Sequence, residues 1–168
     1  MDVLEAIRTR RSIRKYEERP IPEEIIQKIL DAGRWAPSSD NSQPWGFILI
    51  KDQKLRKEIA DAASWADFLP NAPLGIAVVV DPAMASHPVE DGAAATQNMI
   101  LAAHALGLGT CWIGSYESGY QEKVKKMLGV PKDKILLSMV AIGFSVASPK
   151  SYRKELKDVV FVDRYGKK

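Results

Sequence analysis

The sequence predicts an α+β fold in which several helices flank a small, mostly antiparallel sheet. Four short apolar runs, bounded by turn-forming residues, have the length and composition of buried strands: 45–50, 74–80, 110–113 and 135–144. Helical patterns separate these runs, and no internal repeat or low-complexity segment interrupts them. A chain of 168 residues can enclose one core, so residues 1–168 are interpreted as a single domain.

The first two helices are predicted from their capping residues and apolar spacing. Asp2 caps a short helix whose apolar face consists of Val3, Leu4 and Ile7. Pro22 opens the second helix, which carries a buried stripe of four aliphatic side chains: Ile25, Ile26, Ile29 and Leu30. This helix ends near residues 33–37, because a proline disfavours helical geometry in the residue before it.

Two further helices are predicted around the central strands. Asp52 caps one of them, and residues 120–128 form a surface helix that Gly129 ends.

The longest helical pattern, residues 90–106, is rich in alanine and apolar on nearly all its faces. Such a helix must be buried, and a domain of this size has little room for one. Burial between two subunits would solve the problem, so a homodimer is predicted. After Pro149 the chain lacks a segment long enough to fold alone, and this tail is predicted to wrap the partner subunit.

Composition excludes several classes of protein. The net charge of +3 is too small to argue for a nucleic-acid partner. No apolar run approaches the roughly 18–20 residues that a membrane span needs. The single cysteine, Cys111, allows no internal disulfide. These features predict a cytoplasmic protein without membrane or nucleic-acid partners.

Common catalytic and metal motifs are absent. His87 and His104 lack a second histidine or cysteine at ligand spacing, so no metal site is predicted. Cys111 lies in a predicted strand and is interpreted as a small buried hydrophobe. Gly107 and Gly109 form a lone G-x-G that follows a helix instead of opening one, and the third glycine of the dinucleotide fingerprint is missing. The sequence therefore contains no Rossmann site that would hold a nicotinamide permanently.

Basic residues are concentrated in two short stretches near the ends of the chain, residues 8–15 and 150–157. The two stretches could converge on one anion, or they could be two separate solvated surfaces. Arginine suits a phosphate because its guanidinium binds two oxygens at once. The phosphate ligands that these stretches could supply are Arg10, Ser12, Lys150 and Arg153.

Residues 37–43 form a dense run of turn formers with amide and hydroxyl groups, which suit the edge of a polar heterocycle. A flat cofactor with a phosphate tail would use this loop and the basic stretches together, and FMN fits that description.

Four motifs in order resemble the nitroreductase family. Arg10-Arg11-Ser12-Ile13-Arg14-Lys15-Tyr16 is similar to its N-terminal flavin motif, and the run from Ala36 to Trp45 resembles its second motif. Residues 93–114 resemble the central dimer helix and the strand after it, and residues 150–153 match the place of the late basic ligands. The resemblance covers about residues 1–155.

The resemblance implies a homodimer with two FMN sites, each built from both subunits. Arg10, Ser12 and Arg153 would hold the phosphate and ribityl chain, with Arg11 and Lys150 as further candidates. Arg14 would lie near the N1–C2 edge of the flavin. The partner subunit would contribute its second motif, namely Pro37, Ser38, Ser39, Asn41 and Gln43.

The third motif would lie beside the flavin ring. The backbone of Ile113 and Gly114 would face the ring near N5, and Trp112 either joins this site or belongs to the core. Asp91, at the start of the long helix, either has a role of its own or only favours the helix N-terminus.

The activity implied is a ping-pong transfer of hydride from NADH or NADPH to a nitroaromatic, quinone or similar acceptor. The flavin N5 carries the chemistry, so no catalytic side chain is predicted. Two alternatives stay open: a flavin-dependent reductive dehalogenase or flavin-fragmenting enzyme on the same scaffold, and a non-catalytic redox sensor that binds flavin.

Overall fold

The computed structural model describes residues 1–147 and 149–167. Four strands of this part of the chain form an antiparallel sheet, as predicted: β1 Trp45–Ile50, β2 Leu74–Val80, β3 Gly109–Gly114 and β4 Ile135–Gly143. Their order in the sheet is β1-β2-β4-β3.

Five helices of the described residues lie close to the predicted positions: α1 Val3–Thr9, α2 Glu23–Arg34, α3 Gln53–Ala62, α4 Pro88–Ala105 and α5 Gln121–Leu128. A sixth, α6 Leu156–Val159, is a single turn in the tail, where no helix was predicted. Helix α4 begins two residues before the predicted start, because Pro88 fits the first helical turn, where its missing N–H is not needed.

Two predicted N-caps are confirmed by their hydrogen bonds. The Asp2 carboxylate accepts from the backbone N–H of Glu5 at 2.8 Å, and the Asp52 carboxylate accepts from that of Lys54 at 2.9 Å.

The apolar face of α1 is not buried in the single chain. Ala6 is the buried residue of this helix, while Val3, Leu4 and Ile7 are more than half exposed. Only Ala6 turns toward the domain, because one face of so short a helix can meet the rest of the chain. The other face is exposed in the single chain.

The sheet is covered on both faces. Helices α2 and α4 pack on one face around a core that includes Ile29, Met99 and Val140, and α3 and α5 cover the other face around Ile59 and Met139. Helix α4 is buried along one stripe only, while Gln97 and Ala105 on the same helix are exposed. The prediction that this helix needs burial beyond its own chain therefore stays open.

An extended segment, residues 10–17, crosses the sheet at the start of β3 and the end of β4. The N–H of Ile13 donates to the carbonyl of Thr110 at 2.8 Å, and that of Glu17 donates to the carbonyl of Phe144 at 2.9 Å. The contact with β3 is so close that a Cβ at Gly109 would lie 2.8 Å from Ile13. Glycine at this position is what allows the segment to reach the sheet.

The tail that follows Pro149 contains α6 as its regular element among the described residues, and its side chains are largely exposed. Tyr152 is 82% exposed, Leu156 74% and Tyr165 94%. Large apolar side chains rarely stay in water without a binding role when they cluster in one segment.

Candidate functional site

One side chain of the late basic stretch, Arg153, lies near Arg10 of the early one. The pKa of the Arg10 guanidinium is lowered chiefly by burial and then by the charge of Arg153, and Arg11 has a smaller effect. Among the described residues no carboxylate forms an ion pair with these three arginines. The three side chains are called the cationic cluster below.

Ser12 lies within this cationic cluster, whereas Lys150 is less clearly placed. Ser12 forms a parallel β-bridge with Thr110, between the flanking Arg10 and Arg14. Arg153 is held locally, because its guanidinium donates to the Ser151 hydroxyl and to the Tyr152 carbonyl. Lys150 is exposed, and the structure gives it no contact within the cluster.

His104 is a neighbour of the cationic cluster that the sequence places on the long helix. Its Nε2 lies 2.8 Å from the Thr9 hydroxyl, which donates to the carbonyl of Glu5. Because the hydroxyl proton of Thr9 is donated to Glu5, the hydrogen bond between Thr9 and His104 has Nε2–H of His104 as its donor. Burial, followed by the charges of Arg10 and Arg11, lowers the pKa of His104.

Arg14 lies at the other end of the same segment and keeps its hydrogen-bond donors free. Its guanidinium carbon is 5.6 Å from the ring centroid of buried Phe68, within the range of a cation–π contact. It forms neither a hydrogen bond nor an ion pair with a described residue. Arg14 also borders a groove of about 300 Å³ that includes Ser12 and Lys15. The arrangement leaves a fixed cation available to a ligand.

The second motif forms a strained loop that leads into β1. Asp40, Asn41 and Gln43 have positive φ angles of 52°, 54° and 49°, a region that non-glycine residues seldom adopt. Within the loop, the backbone N–H of Gln43 donates to the Ser38 hydroxyl at 3.0 Å. Pro37 is exposed at its start.

The loop is also tied to the start of α4. The backbone N–H of Ser39 donates to the Asp91 carboxylate at 3.0 Å, and the Ser39 hydroxyl lies 3.3 Å from Nδ1 of His87. Asp91 is only 6% exposed, and its second oxygen has no partner among the described residues.

At the end of β3, the exposed residue is a glycine, so the backbone is more accessible there than any large side chain. Ile113 is fully buried, Trp112 is half-buried and packs against the core beneath α2 and α4, and Gly114 is exposed. The Tyr120 hydroxyl donates to the Gly114 carbonyl. Trp112 thus packs in part against the core, and its place in the site stays a prediction.

Within one chain, the cationic cluster and the loop lie at opposite ends of the sheet. At one end, Ser12 lies beside Thr110, which pairs with Ile142 of β4. At the other end, Trp45 follows the loop and pairs with Val80 of β2, and Val80 pairs in turn with Ile135 of β4. The two ends are seven residues apart along β4, since 142 − 135 = 7, which corresponds to roughly 23 Å. A single chain cannot bring both ends to one small ligand.

Two contacts of this site are not evident in the sequence. The Asp91–Ser39 bond joins residues 52 positions apart, and the Arg14–Phe68 contact joins residues 54 positions apart. Neither pair has a spacing that local periodicity could detect. Charge in the first turn of α4 was the one available signal for Asp91, and it is equally typical of a helix end.

Residues 1–147 and 149–167 contain no group of three or more His, Cys, Asp or Glu side chains arranged to hold a metal ion. None of their helices is both long enough and apolar enough to cross a membrane.

The fold and the two ends of the sheet define an α+β domain with a cluster of arginines at one end and a separate polar loop at the other. Comparison with known proteins assigns its family: the chain belongs to the nitroreductase family, whose model matches residues 7–66 and 62–144. A relative from Archaeoglobus fulgidus, named as a candidate NADH dehydrogenase/NAD(P)H nitroreductase, is 40% identical over 148 residues and covers 85% of each chain.

Solved structures agree with this assignment. An FMN-dependent nitroreductase from Clostridium difficile is 30% identical, with a TM-score of 0.89 over 96% of this chain and 99% of that one. A candidate nitroreductase from Desulfovibrio desulfuricans, solved in complex with FMN, is 31% identical, with a TM-score of 0.86 over 98% of both chains. The predicted family and fold are thus confirmed.

Proposed function

We propose that this protein is an FMN-dependent oxidoreductase that takes hydride from NADH or NADPH and reduces a nitroaromatic, quinone or similar small acceptor. The observation that carries the proposal is the convergence of Arg10 and Arg153 without a carboxylate partner among the described residues. Like charges gathered in one place repel each other, and a phosphate dianion would offset that repulsion. Relatives named for FMN and NAD(P)H chemistry support the same cofactors.

The residues present fit FMN. Arg10, Ser12 and Arg153 would hold the phosphate, with Arg11 beside them and Lys150 as an outer candidate. Arg14 would meet the N1–C2 edge, since its guanidinium keeps five N–H donors for a ligand. Exposed Gly114 would allow close approach to the ring, because it carries no side chain.

FMN, when bound, supplies a two-electron centre that accepts hydride from a nicotinamide and passes it to an acceptor. The chain itself binds and orients this group. The cationic cluster would fix its position, and Arg14 would place a permanent positive charge beside the ring. No proton-transferring side chain is assigned.

The split of the site across the sheet leads us to propose that two copies of the chain build it together. Pro37, Ser38, Ser39, Asn41 and Gln43 of one copy would complete the site whose cations come from the other. A homodimer is the smallest assembly that meets this requirement. A cytoplasmic location stays a prediction.

Steady-state kinetics test the proposed activity. Donor and acceptor should take turns at one exposed face, so plots of reciprocal rate against reciprocal donor concentration should give parallel lines at different acceptor concentrations. Intersecting lines would indicate two substrates bound together and would contradict the exchange mechanism.

A visible spectrum of the purified protein, taken first, tests the cofactor. A flavin spectrum without turnover by NADH or NADPH would instead favour a redox sensor. Turnover restricted to halogenated substrates would favour a dehalogenase.

A further inference from the structure

We propose that Asp91 is the positioning residue that holds the strained loop, residues 38–43, in its binding shape. The inference rests on the proposed function, because the loop matters to activity only if it contacts the cofactor. Asp91 itself would not touch the cofactor within its own chain; it acts through Ser39.

Asp91 is buried to a degree that a helix end does not require. A carboxylate in the first turn benefits from the helix dipole whether or not it is buried, and exposed Glu90 next to it already supplies that charge. Burial of a carboxylate carries a desolvation cost unless hydrogen bonds offset it. The backbone N–H of Ser39, at 3.0 Å, is the donor that the structure provides.

The loop needs such an anchor because its own backbone is strained. Three of its residues, Asp40, Asn41 and Gln43, occupy the left-handed region without being glycine. Strained residues persist where surrounding contacts overdetermine the conformation. The bond from Ser39 to Asp91 fixes the loop immediately before the first of these residues, at the start of the 3-10 turn Ser39–Asn41.

The contact can be removed from either side. Asp91→Ala deletes the acceptor, whereas Asp91→Asn keeps an oxygen where Oδ1 lies. Ser39→Pro deletes the backbone donor together with the hydroxyl, and Ser38 before it is already extended (φ −146°, ψ 156°), the geometry that a residue before proline favours. Ser39→Ala controls for loss of the hydroxyl and its contact with His87. Glu90→Ala controls for charge in the same helical turn.

Hydrogen exchange on the FMN-free protein tests the anchor without reference to the cofactor. Asp91→Ala and Ser39→Pro should speed exchange of the amides of residues 40–43 by at least about tenfold, while the sheet amides keep their protection. Asp91→Asn, Ser39→Ala and Glu90→Ala should exchange as the unmodified chain does. Unchanged loop exchange in a folded Asp91→Ala, or a uniform increase over the whole chain, overturns the proposal.

Titration with FMN then tests the link to the site. Asp91→Ala and Ser39→Pro should each raise the Kd about tenfold, and the double variant should be no weaker than either single one, because both remove the same contact. A loosened loop with an unchanged Kd overturns the positioning role. If the unmodified chain binds no FMN, the proposed function fails, while the exchange experiment still decides whether Asp91 fixes the loop.

Discussion

Arg153 shows how one side chain can join distant parts of the sequence. It lies 143 positions after Arg10, yet its charge lowers the pKa of that arginine, so the two side chains lie near each other. Its own hydrogen bonds are to its immediate neighbours, Ser151 and Tyr152. The side chain is therefore held in place by the tail and not by the domain.

Replacing Arg153 should weaken FMN binding specifically. A hydrogen bond to a charged group contributes about 1.5–3 kcal/mol, so Arg153→Ala should raise the Kd of FMN about ten- to a hundredfold. Fluorescence titration of the FMN-free protein measures the effect. Lys157→Ala, in the same basic stretch, is the matched control and should leave the Kd within about twofold. An unchanged Kd for Arg153→Ala would show that the late basic stretch is only a solvated surface.

Arg14 should tune the flavin potential instead of holding the phosphate. A fixed cation beside the ring stabilises the reduced, more negative flavin more than the oxidised one. Arg14→Met keeps much of the stem and removes the charge, so the midpoint potential of bound FMN should fall by some tens of millivolts, with about 30 mV for each 1.4 kcal/mol. Potentiometric titration beside Arg153→Ala decides the matter. Near-zero shifts in both variants would contradict the assigned role.

At the residue scale, the sequence predicts types of chemistry better than it predicts contacts. The arginines, the serine and the amide loop could be chosen because their groups suit a phosphate and a heterocycle. The Phe68 ring beneath Arg14 could not, because residues 54 positions apart meet only through the tertiary fold.

At the scale of the elements, the strands and helices match the sequence predictions best where their hydrogen bonds and buried faces lie within one chain. All four strands and the caps at Asp2 and Asp52 occur as predicted, because their hydrogen bonds and apolar patterns are local. The apolar face of α1 fails this test, since Leu4 and Ile7 face solvent. Apolar spacing indicates that a face will be covered, but not by which chain.

The exposed apolar side chains of α1 and of the tail predict a dimer. Leu4 is 59% exposed and Leu156 74%, and covering both in a second copy would remove apolar surface from water. Light scattering at micromolar concentration should report about twice the 18.6 kDa mass of the chain. Removing residues 149–168 should shift the protein toward monomer and lower its FMN content. A monomer that still holds FMN would contradict a site shared between subunits.

At the scale of the whole molecule, the cationic segment and the polar loop are close in the sequence but far apart on the sheet. The cationic segment and the polar loop lie within about thirty residues of each other in the sequence, yet the sheet places them roughly 23 Å apart. Fold class and family could be predicted because they depend on patterns and motifs along one chain. The assembled site could not, because it depends on which end of the sheet each motif reaches.

This separation has a consequence for inheritance. If two copies build each site together, as proposed, a dimer can pair one chain that has a defective cationic cluster with one that has a defective loop. Both defects then lie in the same site. The other site then combines the sound cluster of one chain with the sound loop of its partner. Two alleles that are each inactive alone would thus complement each other, restoring one working site in every mixed dimer.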